Sequence, residues 1–449
     1  MSDKIELLIS GANNNSGEIL NVYSPFSNNL ISEIIKPTAD EIELAIENAS
    51  KSFRKIVKKM PAYQRAEILY KTADKIRANI EPLARLIALE GGKPLKDARV
   101  EVRRAVNTVK FSADEALRLN GEQLTMDRAA GSENHLAFTI KEPVGPVLAI
   151  SAFNHPVNLI CHQVATAIAA GNTVIIKPSE KTPLSAYAIA EYIIESGFPA
   201  EAISLLPLTG AETEKIIGDH RISFVSFIGN AAVGWKIPKL IAPGVAYALE
   251  HGGTAAAVVT QNTDIEMAAK SITKGGYYHA GQVCVSTQNV FVHRSVYDEF
   301  KEKFTENVKN LVTGDPSDEK TDVGPIITGF KANEIISQIN EAVEMGANLI
   351  LGGKLMNNNC IEPTILENTD YQMKVMNSEI FGPVVNINVY DDINEVIEKC
   401  NNTPFSFQNA IYTKDIDTAL KFSKEINSKA VIINDSTAFR VDWMPFGGD

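Results

Sequence analysis

The amino-acid sequence predicts an α/β protein of two lobes, each built on a parallel sheet. Three observations carry that reading. A long helical stretch comes first, and from residue 143 short apolar runs alternate with helical segments. A second alternating block begins at residue 255, which puts the lobe boundary near residue 253. Strands alternating with helices signal βαβ units, because parallel strands need a crossover between them.

The helical stretch covers 39–120. Apolar side chains recur at three and four in Ala45, Ile46, Ala49 and Phe53, and again in Leu83, Leu86 and Ile87, with charges between them. Pro61 fits a helix start and Gly91-Gly92 a stop. In the first block, strands are predicted at 147–150, 173–176, 203–206 and 224–227, with helices at 159–170, 185–195 and 212–217. The second block reads as a strand (256–259), a helix (265–274), a strand (289–292) and a long helix (296–311). Strands at 347–351, 384–389, 409–412 and 430–433 follow, with loops at 352–353 and 356–359. No repeat of fixed period and no low-complexity tract occurs.

At roughly 150 residues per domain, the 449 residues predict two to four domains. Apolar residues at 45% and charged residues at 22% suit a well-cored globular chain. A net charge of −12 argues against a protein built to hold nucleic acid or an anionic membrane. Four cysteines without a CxxC spacing argue against a disulfide scaffold or a cysteine-built zinc site. The start, MSDKIELLIS, lacks the pattern of a signal peptide, and the longest apolar run, 144–153, is too short to span a bilayer. A cytoplasmic location is expected.

Several residues could carry chemistry, each beside a plainer alternative. Cys284, three residues after Gly281, is either a buried structural thiol or a nucleophile. Glu250, before Gly252-Gly253, is either a solvated carboxylate or a general base. Asn154 follows an apolar strand and is either a turn residue or a donor to a developing oxyanion. Lys177-Pro178-Ser179-Glu180 follows another strand, where ligands bind in open α/β sheets, and Lys177 and Glu180 would suit ribose hydroxyls. The segment 227–234 ends a strand and opens a helix, a place for a pyrophosphate, although it is neither a G-x-G-x-x-G fingerprint nor a P-loop. The seven histidines show no metal-ligand spacing, and His155 and His162 are not paired with close carboxylates in sequence, so no metal is expected.

Taken in order, these segments form a set: FNHP at 153–156, KPSE at 177–180, FIGNAAVG at 227–234 and LEHGG at 249–253. GQVC at 281–284, EIFGP at 379–383 and PFGG at 445–448 complete it. The set resembles the aldehyde dehydrogenase superfamily over essentially the whole chain, including the thirty-four residues that separate Glu250 from Cys284. The resemblance implies two Rossmann-like lobes plus a small oligomerisation hairpin. It assigns 1–120 and 144–253 to an NAD-binding domain, 254–433 to a catalytic domain, and 121–143 with 434–449 to a bridging segment. A homodimer or homotetramer is expected.

The implied reaction is nicotinamide-dependent oxidation of an aldehyde to a carboxylate. Cys284 would form a thiohemiacetal whose oxyanion Asn154 and the Cys284 N–H stabilise, and Glu250 would activate water against the later thioester. The implied NAD site (NADP being possible) takes Lys177 and Glu180 at the adenosine ribose. Gly229, Asn230 and Gly234 would line the phosphates, and Glu379 and Phe381 would hold the nicotinamide ribose and ring. Ser151, Phe153, Ser179, Gly210 and Gly252 complete the set. A CoA-acylating member and a non-catalytic paralogue are the alternatives; Glu250 disfavours the first and the retained Cys284, Glu250 and Asn154 disfavour the second.

Three departures from the family pattern stand out. His251 replaces the usual leucine and is expected to perturb Glu250, Asn230 replaces the usual Ser or Thr, and the end at Asp449 suggests C-terminal truncation. By family position, His155, His162, Arg440 and Arg104 should edge the aldehyde entrance, with Phe439 nearby. The arginines either make ion pairs or build a pocket for a small polar or anionic aldehyde, of lactaldehyde, semialdehyde or phosphorylated glyceraldehyde type.

Overall fold

The computed structural model describes residues 4–12, 17–403 and 406–445. The predicted helical stretch resolves into Ala39–Lys55, Ala62–Ala78, Ile80–Gly91 and Leu95–Ala116. Local chemistry sets their ends. Thr38 and Glu41 form a reciprocal capping box at the first. Gly92, at φ +70°, closes the third in the left-handed conformation that glycine adopts without penalty.

A five-stranded, all-parallel sheet follows, in the order Ala246–His251, Phe224–Gly229, Val147–Ile150, Val174–Lys177, Ile203–Leu205. Both faces are covered, as a parallel sheet requires. Val147, Ala149, Val174 and Ile176 pack in a core shared with helices Ala62–Ala78, Leu95–Ala116 and Asn158–Ala169. Their neighbours Leu148, Ile150 and Ile175 face Ala45, Ile46 and Ala49 on the other side. The alternation of strand side chains does this directly.

The second sheet has seven strands, in the order Asn348–Leu351, Thr364–Glu367, Val384–Tyr390, Thr287–His293, Ala255–Val259, Gln408–Tyr412, Ala430–Ile433. Only the first pair is antiparallel. Two smaller sheets complete the fold: Lys4–Ile5, Leu30–Ile35 and Ile19–Tyr23, and a hairpin of Gln123–Leu124 with Ala137–Phe138. Sequence periodicity did not announce the N-terminal sheet, nor strand Thr364–Glu367. Among the described residues, no helix is long and apolar enough to cross a membrane. Three residues of the PFGG motif, 446–448, lie outside the described residues.

Candidate active site

The carboxyl ends of the five-stranded sheet open into a cavity of about 650 Å³. Successive strand ends contribute Ser151, Phe153 and Asn154, then Lys177, Ser179 and Glu180, then Gly229 and Asn230, then Glu250 and Gly252. Gly210 joins from the helix Gly210–Ile217, while Cys284, Glu379 and Phe381 come from the side of the seven-stranded sheet. Of the residues the resemblance assigns to the cofactor, Gly234 alone is not in the lining. It is buried behind it, where an added Cβ would stand 1.9 Å from His251 Nε2. Its glycine is a packing requirement. Asn230 caps the short helix Ala231–Gly234, its Oδ1 accepting from the Ala232 N–H at 2.9 Å, a role Ser or Thr fills equally well.

His251 corrects a second expectation. It follows Glu250 on the strand Ala246–His251, so the two side chains leave on opposite faces. The imidazole packs edge-on against Trp235 at 4.8 Å and Phe227 at 6.1 Å. The groups that act on Glu250 are instead Cys284 and Arg440.

Cys284 lies three residues beyond a strained segment. His279, Ala280 and Gly281 are successively left-handed, at φ +48°, +54° and +70°. A Cβ on Gly281 would come within 2.0 Å of the Gly382 carbonyl, so only glycine fits there. Gln282 fastens the loop: its Nε2 donates to the Pro325 carbonyl at 3.1 Å and its Oε1 accepts from the Ile327 N–H at 2.9 Å. The Gln282 carbonyl accepts from Asn154 Nδ2 at 2.9 Å. An amide has two N–H donors, so the second remains to serve an oxyanion.

The electrostatics of this cluster follow from burial. Glu250 is pushed up to about 7 by desolvation, opposed by its interaction with the Cys284 thiol and by the Arg440 charge. Glu379 also rises to about 7, through burial and then the neighbouring Glu250. Its carboxylate presses so closely on the chain that a Cβ on Gly252 would lie 1.7 Å from Oε1. The Cys284 thiol is held well above its ordinary value, by burial first and then by Glu250, so it rests protonated beside that carboxyl although it keeps some exposure to the cavity.

Cys284 also lines a second cavity, of about 210 Å³, with Arg104, His155, His162, Lys274, Tyr278, Phe439 and Arg440. Cys284 is thus the meeting point of a nucleotide-sized space and a small, cation-rimmed one. Arg104 lines this cavity and also pairs with Asp442 at 2.9 Å. Arg440 lies 5.5 Å over the Phe407 ring and donates to the Pro445 carbonyl at 2.8 Å. His162 Nε2 stands 3.6 Å from Asp442, so the absence of a carboxylate near it in sequence does not survive folding. Among the described residues, no cluster of three His, Cys, Asp or Glu could hold a metal. Lys274, Tyr278 and Lys331 reach the cavities without any motif that marks them.

A thiol and a carboxyl set between a nucleotide-sized cavity and a smaller, cation-rimmed one define a cofactor-dependent enzyme that works through a cysteine adduct. The chain belongs to the aldehyde dehydrogenase family, whose model matches residues 12–449. It is 38% identical over 443 residues to 3-sulfolactaldehyde dehydrogenase from Priestia aryabhattai, covering 98% of this chain and 92% of that one. A crystal structure of aldehyde dehydrogenase 21 from Physcomitrella patens, in complex with the reaction product succinate, superposes with a TM-score of 0.96 at 33% identity, covering 100% and 93%. A glyceraldehyde-3-phosphate dehydrogenase from Methanocaldococcus jannaschii complexed with NADP gives 0.92 at 36% identity, covering 97% and 94%. The protein is an NAD(P)-dependent aldehyde dehydrogenase of two Rossmann-like sheets.

Proposed function

We propose that Cys284, Glu250 and Asn154 oxidise a small anionic aldehyde to its free acid. The observation that carries the reading is Cys284 at the junction of the two cavities, facing a carboxyl poised near neutrality. Glu250 takes the thiol proton as sulfur adds to the aldehyde carbon. Asn154 Nδ2 and the Cys284 N–H donate to the oxygen that becomes negative. Bound NAD(P)+ supplies the hydride acceptor by which such a thiohemiacetal becomes a thioester. Once Glu250 has released that proton to solvent, it draws another from the water that attacks the thioester, and protonation of the departing sulfur leaves the acid and the thiol.

The residues present fit the cofactor. The cavity is large enough for a dinucleotide, and the buried Ser151 Oγ and Glu379 Oε1 have no partner among the described residues. Lys177, Ser179 and Glu180 would hold the adenosine ribose, Gly210, Gly229 and Asn230 the phosphates, and Phe153, Gly252, Glu379 and Phe381 the nicotinamide end. We assign 1–120 and 144–253 to the cofactor domain and 254–433 to the catalytic domain. The remaining 121–143 and 434–449 bridge to other copies in a homodimer or homotetramer, a reading supported by the exposed Leu124, Leu136, Phe138 and Ile140 on and beside the hairpin. We place the enzyme in the cytoplasm, where its four free cysteines would stay reduced.

Glu180 should favour NAD, because a 2′-phosphate would meet its carboxylate, although Lys177 partly offsets that repulsion. We expect kcat/KM for NAD to exceed that for NADP by roughly tenfold, the ratio about 1.4 kcal/mol supplies. Comparable values would remove Glu180 as the discriminator.

The cations of the smaller cavity support a charged substrate, as do the sulfonate, carboxylate and phosphate in the names of the relatives. A guanidinium grips such groups through paired N–H donors. Arg440→Ala should raise KM for succinate semialdehyde at least tenfold and that for propanal less than threefold. Equal effects on both would exclude an anion-binding Arg440. The reading as a whole is tested by following NADH absorbance with a panel of aldehydes, with and without coenzyme A. Oxidation of short anionic aldehydes independent of coenzyme A is expected. Strict dependence on coenzyme A would make the enzyme an acylating one, and no turnover a binding protein.

A further inference from the structure

We propose that the buried Lys93–Glu101 pair is a positioning device that holds the Asn154 loop against the Cys284 loop; this rests on the assignment of those two residues given above. Lys93 lies between helices Ile80–Gly91 and Leu95–Ala116, and Glu101 on the second of them. Both are wholly buried and ion-paired, and neither lines either cavity. One Glu101 oxygen accepts from the backbone N–H groups of Val157 at 2.9 Å and Asn158 at 3.2 Å, where helix Asn158–Ala169 begins. Asn154, His155 and Pro156 lead directly into that helix. The other oxygen accepts from Lys93 Nζ.

Lys93 has a second contact. Its ammonium lies 5.9 Å from the centroid of the Tyr278 ring, and Tyr278 immediately precedes the left-handed residues His279, Ala280 and Gly281 that lead to Cys284. The Tyr278 hydroxyl faces His155 Nε2 at 3.4 Å, which closes the circuit. One cation therefore touches both loops, through a carboxylate on one side and a ring on the other.

A neighbouring residue shows that the carboxylate does not need the lysine for capping alone. Glu90, equally buried, accepts from the Leu184 and Ser185 N–H groups at 2.9 Å at the start of helix Pro183–Glu195, with no ion-pair partner among the described residues. Burial pushes Glu90 up to about 7 instead. A buried ion pair is a weak source of net stability, because both ions lose their hydration. The bridge to Tyr278 gives Lys93 a purpose that capping does not. What it fixes is the joint between Asn154 Nδ2 and the Gln282 carbonyl, 2.9 Å long.

The test uses the full chain. Lys93→Met/Glu101→Gln removes both charges together, so neither ion is left buried alone. We expect it to fold, to lose at least tenfold in kcat, and to keep KM for NAD within twofold. The residues at the adenosine ribose and phosphates, Lys177, Glu180, Gly210 and Gly229, stay in place while the oxyanion donor drifts. Should the double variant fail to fold, Glu101→Asp keeps the ion pair but shortens the reach to the helix N–H groups, and it should show the same split. A kcat within twofold of the parent would overturn the proposal, as would kcat and cofactor KM worsening together in step with the thermal midpoint. Cys284→Ala separates the two levels. If it still turns over, the underlying assignment fails; if it is dead while the pair variants keep parental kcat, only the positioning role fails.

Discussion

Cys284→Ala should remove aldehyde oxidation altogether, a loss of at least about a thousandfold in kcat, while NAD binding stays within a factor of about two. The size follows from the kind of step lost. Without the sulfur there is no thiohemiacetal, and a hydrated aldehyde in the same cavity has no covalent link to the base or the oxyanion donors. Binding is spared because Cys284 is one residue at the floor of a cavity lined mainly by strand ends of the other sheet. Removing the thiol takes away a hydrogen-bond partner of Glu250 at the cavity wall. Cofactor affinity by fluorescence titration and NADH formation by absorbance give the two readouts. A variant that retained more than a few per cent of parental kcat would mean that another group is the nucleophile.

Much of this site was legible before folding, for definite reasons. Asn154, Lys177, Gly229 and Glu250 each sit at or just beyond the carboxyl end of a strand, and apolar runs mark where such strands stop. The order of the motifs then brings Cys284 to them. What stayed hidden depends on contacts between distant segments. His162 meets Asp442, and Arg104 the same carboxylate, across some 280 and 338 residues of chain. No local pattern encodes such pairs. Lys93, Glu101 and Lys274 belong to no motif in the sequence, and folding buries the first two and brings the third to a cavity wall. His251 is different. Its direction away from Glu250 follows from the two-residue repeat of a strand, which sends adjacent side chains to opposite faces. Gly234 belongs with it, since the room it leaves is taken by that imidazole and not by a phosphate.

Glu250→Gln should separate the two halves of the reaction. Glutamine keeps the shape but cannot accept a proton, so water attack on the thioester should slow by about a hundredfold or more. Hydride transfer precedes that step and depends less on the base once the thiolate has formed. Losing the proton acceptor of the thiol slows the first turnover too, so the expected record is a slowed burst of about one NADH per active site followed by a still slower steady state. In the parent enzyme the steady rate should rise with pH through about 7, because burial keeps the Glu250 carboxyl protonated below that value. Glu379 stands near the same value and feels Glu250, so the observed midpoint belongs to the pair, and the Gln variant should lose the rise. Stability runs the other way. A carboxyl raised from about 4.5 to about 7 on folding contributes its full stabilisation below about 4.5, and this is lost as pH rises through 7. The thermal midpoint of the parent minus that of Glu250→Gln should therefore fall between those values, isolating one group from every other titration in the chain. Equal loss of burst and steady state would place Glu250 in thiol activation alone. A burst with a flat, slow plateau, together with a falling difference in midpoint, would tie hydrolysis to the ionised form of a carboxyl that the fold prefers to keep neutral.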